Sequence, residues 1–189
     1  MCSVGVGGHA LHGGYGTSSH TKGLALDWMV GATVVLANST VVDCSEAENP
    51  DLFWAIRGAG SSMGVVTEFR FKTFEAPETV TYFIAPVPWR TEETAFNGLK
   101  AVQDFVQDEM PAELNMRVFI TNRFVNLEGM YYGNKTDLQA VLAPLFAKTK
   151  GSLAMATQGD WMGALKHFGN GIAIDQGHPY DFVSKLSGT

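Results

Sequence analysis

The sequence has 189 residues (20.4 kDa), with 46% apolar and only 17% charged side chains, a formal charge of −6 and a pI near 5.3. That balance excludes intrinsic disorder, which needs the opposite composition, and argues against a nucleic-acid binder, whose phosphate contacts call for clustered Lys and Arg. No apolar run reaches the roughly 18 residues of a membrane span, and the longest, Trp28 to Ala37, contains Gly31 and Thr33. No membrane role is expected, and the class is a soluble α/β or α+β domain.

The charge deficit is concentrated at the start. Residues 1–45 carry only Lys22, Asp27 and Asp43, and seven glycines precede residue 24. So uncharged a stretch is expected to lie against a ligand or other polypeptide. No basic n-region followed by an apolar h-region is visible, so no signal peptide is read. Cys2 and Cys44 form neither a disulfide framework nor a zinc pair. The sequons at Asn38 and Asn134 would allow glycosylation if the protein were exported.

Leu24 to Val42 predicts a β-hairpin: Trp28 to Leu36 is rich in Val and Thr, Asn38-Ser39 supplies the turn, and Thr40 to Val42 returns. Asn49-Pro50-Asp51 reads as a helix start with Asn as N-cap, and that helix is expected to stop at Gly58. Gly58 to Gly64 is a second glycine-rich loop. Val65 to Phe74 follows as a strand, with Val65, Phe69 and Phe71 set against Val66, Glu68, Arg70 and Lys72. A domain boundary is placed at Glu75-Ala76-Pro77, giving domains 1–76 and 77–189. Beyond it Thr81 to Val87 predicts a strand that Pro86 and Pro88 put at an edge or exit. Thr91 to Asp108 predicts an amphipathic helix on Ala95, Leu99, Val102 and Phe105/Val106. Asn115 to Tyr132 reads as two strands with a break near Val125-Asn126. Leu138, Val141, Leu142, Leu145 and Phe146 form a helical stripe that Pro144 should kink or shorten. Asp160 to Phe168 is a short helix, and Gly169 to Thr189 has no strong stop.

The segment Cys2-Ser3-Val4-Gly5-Val6-Gly7-Gly8-His9, continued by His12-Gly13-Gly14-Tyr15-Gly16, is where chemistry is expected. Its Gly5-x-Gly7-x-x-Ala10 spacing formally fits a dinucleotide fingerprint, but too few residues precede it for the required strand. No Gly-Lys-Ser/Thr follows, so it is not a P-loop. What remains is a backbone able to press closely on a flat or phosphorylated ligand, or on other chain. His9, His12 and His20 have poor spacing for a metal. One histidine beside an electron-accepting ring would instead stabilise negative charge developing on reduction, and His9 is the choice.

These residues, with Gly23-Leu24-Ala25-Leu26-Asp27 and Ala32-Thr33-Val34-Val35, resemble the FAD-linked oxidases related to berberine bridge enzyme. Asn49-Pro50-Asp51-Leu52-Phe53-Trp54-Ala55-Ile56-Arg57-Gly58-Ala59-Gly60 and Gly64-Val65-Val66-Thr67-Glu68-Phe69 strengthen the likeness, and its closest flavour is that of the gluco- and chito-oligosaccharide oxidases. Trp161 and Phe182-Val183-Ser184-Lys185-Leu186 extend it more thinly. The resemblance implies an α+β fold of the vanillyl-alcohol oxidase type. The chain would be the second half of a PCMH-type FAD-binding domain followed by the start of an α/β substrate domain with an antiparallel sheet.

It further implies FAD as cofactor, an oligosaccharide or other small alcohol as substrate and O2 as electron acceptor. A sugar C1 hydroxyl would become a lactone, with hydrogen peroxide as the second product. His9 matches the family histidine near the flavin N1/C2=O locus. Gly5, Val6, Gly7 and Gly8 would line the isoalloxazine and ribityl chain, with Gly13 and Gly14 beside them. Gly60, Val65 and Val66 would approach the ribose and adenine. Relatives of this kind imply an extracellular location.

The family cysteine that bonds the flavin stands eight residues before this histidine, whereas Cys2 stands seven before His9. A covalent link through Cys2 therefore departs from strict matching. The subdomain carrying the pyrophosphate loop and a flavin-linking histidine is expected as a missing N-terminal partner, and Tyr131, Tyr132 and Tyr180 do not match the family's tyrosine base. No catalytic residue is assigned. The alternative reading is a truncated, non-catalytic remnant that binds flavin weakly or serves as an interaction module. The uncharged N-terminal stretch then reads as a flavin-facing wall, which predicts poor solubility or association of the isolated chain.

Overall fold

The computed structural model describes residues 5–169, so Cys2, Ser3, Val4, Tyr180 and the Phe182-to-Leu186 segment lie outside the described residues. The expected hairpin is present as β1 (Met29–Val35) and β2 (Val41–Cys44), with Ala32 opposite Cys44 and Val35 opposite Val41. Ser39 takes the left-handed conformation (φ 68°) at the turn, and the Asn38 side chain accepts the Thr40 amide at 3.0 Å.

Helix α3 (Pro50–Ala59) starts where Asn49-Pro50 predicts, but Asn49 does not cap it. Its backbone is left-handed (φ 47°), and its side-chain amide donates to the Asp43 carbonyl at 2.7 Å. The residue therefore ties the helix to β2. The expected break comes at Gly58 (φ 138°), followed by a single 3₁₀ turn, Gly60–Ser62.

Strand β3 (Val65–Phe71) ends three residues earlier than expected and pairs with β1 to give the antiparallel order β2-β1-β3. Its alternation differs from the sequence reading. Thr33 pairs with Glu68 and Val34 with Val66, so Thr67 is an extra residue. That bulge puts Val66 on the inward face with Phe69 and Phe71, and leaves Val65 67% exposed. Met29, Ala32, Val34, Cys44, Phe53 and Ile56 form the core of this layer. Ala10 joins it from α1 (Val6–Leu11), a short helix that the glycine-rich sequence does not predict, as it does not predict α2 (Ser19–Lys22).

The second sheet is antiparallel with order β5-β6-β4-β7, where β4 is Val80–Val87, β5 Leu114–Ile120, β6 Val125–Tyr131 and β7 Met155–Gly159. Strand β4 is central, which corrects the edge assignment. Pro86 is tolerated because β7 pairs only with Val80 to Ile84, leaving the Pro86 side of β4 open there. The break between β5 and β6 falls at residues 121–124, just before the expected position.

Helix α4 (Glu92–Asp108) begins at the Thr91 cap, which accepts the Thr94 amide at 3.2 Å. Its inward face is Gly98, Ala101 and Phe105, whereas Leu99 and Val106 are over two-fifths exposed. Of the expected stripe Phe105 and Val102 do pack on the core, and the Trp89 ring lies where a Gly98 side chain would be. Helix α5 (Lys135–Thr149) continues through Pro144 and is not shortened by it. Pro144 and Ala140 are both exposed, so the carbonyl freed by proline faces water while Leu138, Leu142 and Leu145 hold the inner face. Both helices cover the sheet face formed by Phe83, Ala85, Leu114 and Leu127. Helix α6 (Trp161–Phe168) starts at the expected Asp160, whose carboxylate accepts the Gly163 amide at 2.7 Å, and packs with Val80 and Met130 on the opposite face. The architecture is thus α+β, mixed helix and antiparallel sheet.

Candidate functional site

Helix α1 holds most of the glycine–histidine residues. Gly5 is its N-cap, and Gly5, Val6 and Gly8 face outward, with nothing within 4 Å of a Cβ built on Gly5 or Gly8. Gly7 turns toward Phe69, the nearest atom 3.6 Å from a built Cβ. Half-buried His9 makes no side-chain hydrogen bond among the described residues, and its ring sits beside Gly14. Gly14 has φ 85°, and a Cβ there would lie 2.5 Å from that of Ala25 and 2.9 Å from His9 Cδ2, so only glycine fits. The Gly13 and Gly14 carbonyls accept the Leu26 and Ala25 amides, both at 3.0 Å, which fixes the loop.

His12 is structural. Its Nδ1 donates to the Gly8 carbonyl at 3.0 Å, so its Nε2 accepts from the Ser61 hydroxyl at 3.1 Å. That bridge fastens α1 to the turn holding Gly60, where a Cβ would collide with Leu11. Gly60 is buried in this chain-on-chain contact. Val65 is exposed at the free edge of the first sheet, and Val66 points into its core, so the structure does not bring these two to one surface. Among the described residues no group of three or more His, Cys, Asp or Glu could hold a metal.

Immediately after Gly14 the chain enters a cleft of about 130 Å³ lined by Tyr15, His20, Asn115, Arg117, Glu128 and Phe168. The register of the second sheet builds it, because Arg117 lies opposite Glu128 and Asn115 opposite Met130 on the face away from α4 and α5. The Glu128 carboxylate, 11% exposed, accepts from Arg117 at 2.9 Å. Asn115 exchanges hydrogen bonds with Thr21: its amide donates to the hydroxyl at 2.6 Å, and its oxygen accepts the Thr21 amide at 3.2 Å. This pair docks α2 against β5. Tyr15 offers a ring that is 72% exposed. Nearby, burial pushes the His167 imidazole below its ordinary pKa, opposed by Glu128, and the ring stacks on Tyr82 at 4.3 Å. Burial likewise raises the Tyr132 phenol, whose hydroxyl is enclosed without a hydrogen-bond partner among the described residues.

Asn115, Arg117 and Glu128 were not singled out from sequence. The available signal was alternate polar residues in two otherwise apolar strands, Asn115 and Arg117 in β5 and Asn126 and Glu128 in β6. An open backbone surface over Gly5 and Gly8, an imidazole at His9 without a hydrogen bond among the described residues and a polar cleft beginning at Tyr15 together form a site able to take a planar cofactor and a polyhydroxyl substrate.

Comparison with known proteins agrees. No family model matches the chain. A xylooligosaccharide oxidase from Thermothelomyces thermophilus is 47% identical over 180 residues, which are 94% of this chain and 36% of that protein. An FAD-linked oxidoreductase from Metarhizium anisopliae is 51% identical, over 96% of this chain and 35% of its own length. A solved glucooligosaccharide oxidase from Acremonium strictum, described with 6-S-cysteinyl, 8α-N1-histidyl FAD, superposes with a TM-score of 0.90 at 45% identity, covering 94% of this chain and 38% of that one. By sequence and by fold the chain matches the FAD-linked oligosaccharide oxidases. Berberine bridge enzyme-like proteins are among its relatives. It spans about a third of the length of the curated relatives it matches. The described residues comprise the glycine–histidine helix, the two antiparallel sheets and the cleft beside them.

Proposed function

We propose that the chain forms the flavin-facing wall and part of the sugar-facing cleft of an FAD-dependent oligosaccharide oxidase. The observation that carries this reading is continuity: His9 abuts Gly14, and Tyr15 and Gly16, next in the chain, already line the Asn115–Arg117–Glu128 cleft. The residues present fit FAD, because the open space over Gly5 and Gly8 would take a planar ring and the His9 imidazole has no hydrogen bond among the described residues. Bound FAD would supply the hydride acceptor, converting a sugar C1 hydroxyl to a lactone, and its reoxidation by O2 would give hydrogen peroxide. His9 would stabilise negative charge accumulating at the N1/C2=O locus. Glu128 and Arg117 would accept from and donate to sugar hydroxyls, and Tyr15 would offer an apolar ring face.

Residues 1–76 would belong to the PCMH-type flavin domain and 77–189 to the substrate domain, with a further flavin subdomain as partner. The identities to carbohydrate oxidases favour this over a non-catalytic remnant. An extracellular location is part of the proposal, and Asn38 and Asn134, exposed at a turn and a helix start, leave both sequons open to glycans. The test is to mix the purified chain with FAD, separate by size, and read visible absorbance in the protein peak. Flavin that co-elutes supports the wall, and a colourless peak overturns it. Acid precipitation then distinguishes a covalent link from colour left in the supernatant. Peroxide release with xylo-, gluco- or chito-oligosaccharides tests the activity.

A further inference from the structure

A second and larger cleft, about 630 Å³, opens at the end of the second sheet where β4 and β5 finish and β6 and β7 begin. Three separate connections converge on it. The β4–α4 connection supplies Trp89 and Arg90, the β5–β6 turn supplies Arg123 and Phe124, and the α5–β7 connection supplies Lys150. Arg117 lies four residue steps before Thr121 at the mouth of this cleft, roughly 13 Å at the ordinary strand rise.

Its electrostatics run against those of the chain. The formal charge is −6, yet three cations and no carboxylate line this cleft. Among the described residues, neither the Arg90 nor the Arg123 guanidinium has a hydrogen bond or ion pair, and the Lys150 ammonium meets only the Ala147 carbonyl at 3.3 Å. Like charges gathered without a counter-ion repel one another, and an anion in the cleft relieves that repulsion.

The presenting backbone is fixed. The Thr121 hydroxyl accepts the Arg123 and Phe124 amides at 3.2 and 3.0 Å and donates to the Phe124 carbonyl at 3.0 Å. Trp89 is seated on Gly98 between Pro88 and α4. Lys150 has left-handed backbone (φ 59°) at the end of α5, a position that glycine or asparagine occupies at lower cost.

We propose that this cleft binds carboxylate-bearing sugar chains. Guanidinium forks match carboxylates two bonds at a time. Phe124, 48% exposed, offers a ring face, and Asn122 and Ser152 offer amide and hydroxyl partners. The volume lies within the roughly 300–1,000 Å³ of small-molecule sites, far beyond what one inorganic oxyanion needs. The inference is independent of the flavin reading, since none of its residues touches α1 or the Arg117–Glu128 cleft.

The test is calorimetric titration of the full chain with tetragalacturonate, neutral cellotetraose and inorganic phosphate. The expected result is salt-sensitive binding of tetragalacturonate, with cellotetraose and phosphate each at least about tenfold weaker, the order set by loss of charge-assisted or ring contacts. The combined variant R90Q/R123Q/K150Q, all at exposed positions, should lose that binding with its circular dichroism unchanged. Lys150→Gly separates binding from folding: it should raise the melting temperature by relieving φ and still weaken tetragalacturonate. Absence of tetragalacturonate binding, binding that survives the triple variant, or phosphate binding as tight as the sugar acid would each overturn the proposal.

Discussion

Gly8→Ala puts the flavin-wall reading at risk by opposing two effects. Gly8 lies inside α1, exposed, without positive φ, and a Cβ there meets nothing within 4 Å. The folded chain alone therefore gives no reason for glycine. Alanine is favoured over glycine by about 0.8–1 kcal/mol in a helix interior, partly through lower entropy of the unfolded chain. In a helix this short, a gain of about 0.5–1 kcal/mol is the appropriate expectation. For a chain of this size that is a rise of roughly 1–4 °C in melting temperature. If a planar ring lies against this face, the added methyl holds it off the backbone, and flavin affinity should fall by at least about tenfold, or 1.4 kcal/mol. Thermal melts without flavin and fluorescence titration with FAD measure the two effects on the same samples. A variant that melts higher and still binds FAD like the parent refutes the wall. A variant that melts lower refutes the description of the space above Gly8.

Gly129→Ala should be damaging, since its Cβ would collide with the Asn115 carbonyl and approach Met116 Cα at 2.7 Å, both backbone of β5. Overpacking of this kind costs about 1–3 kcal/mol, and a shift below about 0.5 kcal/mol in urea unfolding would count against the β5–β6 register. His167 has its pKa lowered from 6.5 by burial, so the folded state resists its protonation. Its contribution is complete above pH 6.5 and declines as pH falls through the lowered folded value; His167→Gln should flatten the stability profile there, and an unchanged slope would contradict the assignment. Cys44 is fully buried, burial raises its thiol pKa, and its sulfur donates to the Ala32 carbonyl at 3.5 Å. Peptide mapping after a thiol reagent should find Cys44 labelled only in denaturant, and rapid labelling of the native chain would disprove its packing.

The parts of the fold legible in sequence are those where local chemistry and tertiary role agree. The hairpin has β-branched strands and an Asn-Ser turn, and α4 has Thr91 with Glu92 and Glu93 at its start. What was not legible depends on partners far along the chain. The bulge at Thr67 resets the alternation of β3 only because β1 lies beside it. Strand β7, Met155–Gly159, has no alternating apolar residues and is defined by its pairing with β4. Helix α1 contains two glycines, and its place depends on buried Ala10 and the His12–Ser61 bridge. The glycine–histidine part of the site was legible because its composition is extreme. Asn115 and Arg117 on β5 and Glu128 on β6 are polar residues of two apolar strands, brought to one cleft only by register.

That register also distinguishes a site from a merely stable sheet. Along β6, Leu127 packs under the helices, while Glu128 and Met130 lie on the opposite face, Glu128 in the cleft and Met130 under α6. A sheet selected for stability alone would do as well with two apolar residues at the Arg117–Glu128 pairing, because withdrawing a carboxylate from water consumes much of what its ion pair returns. Glu128 is nearly covered, whereas Arg117 remains half exposed, so the carboxylate bears the desolvation and the guanidinium keeps donors free toward the cleft. Such an arrangement gives little to folding and much to recognition of hydroxyl groups. Replacing the pair by Met and Leu should therefore leave the melting temperature unchanged or higher while abolishing sugar binding in the cleft; a large loss of stability would make the pair structural instead.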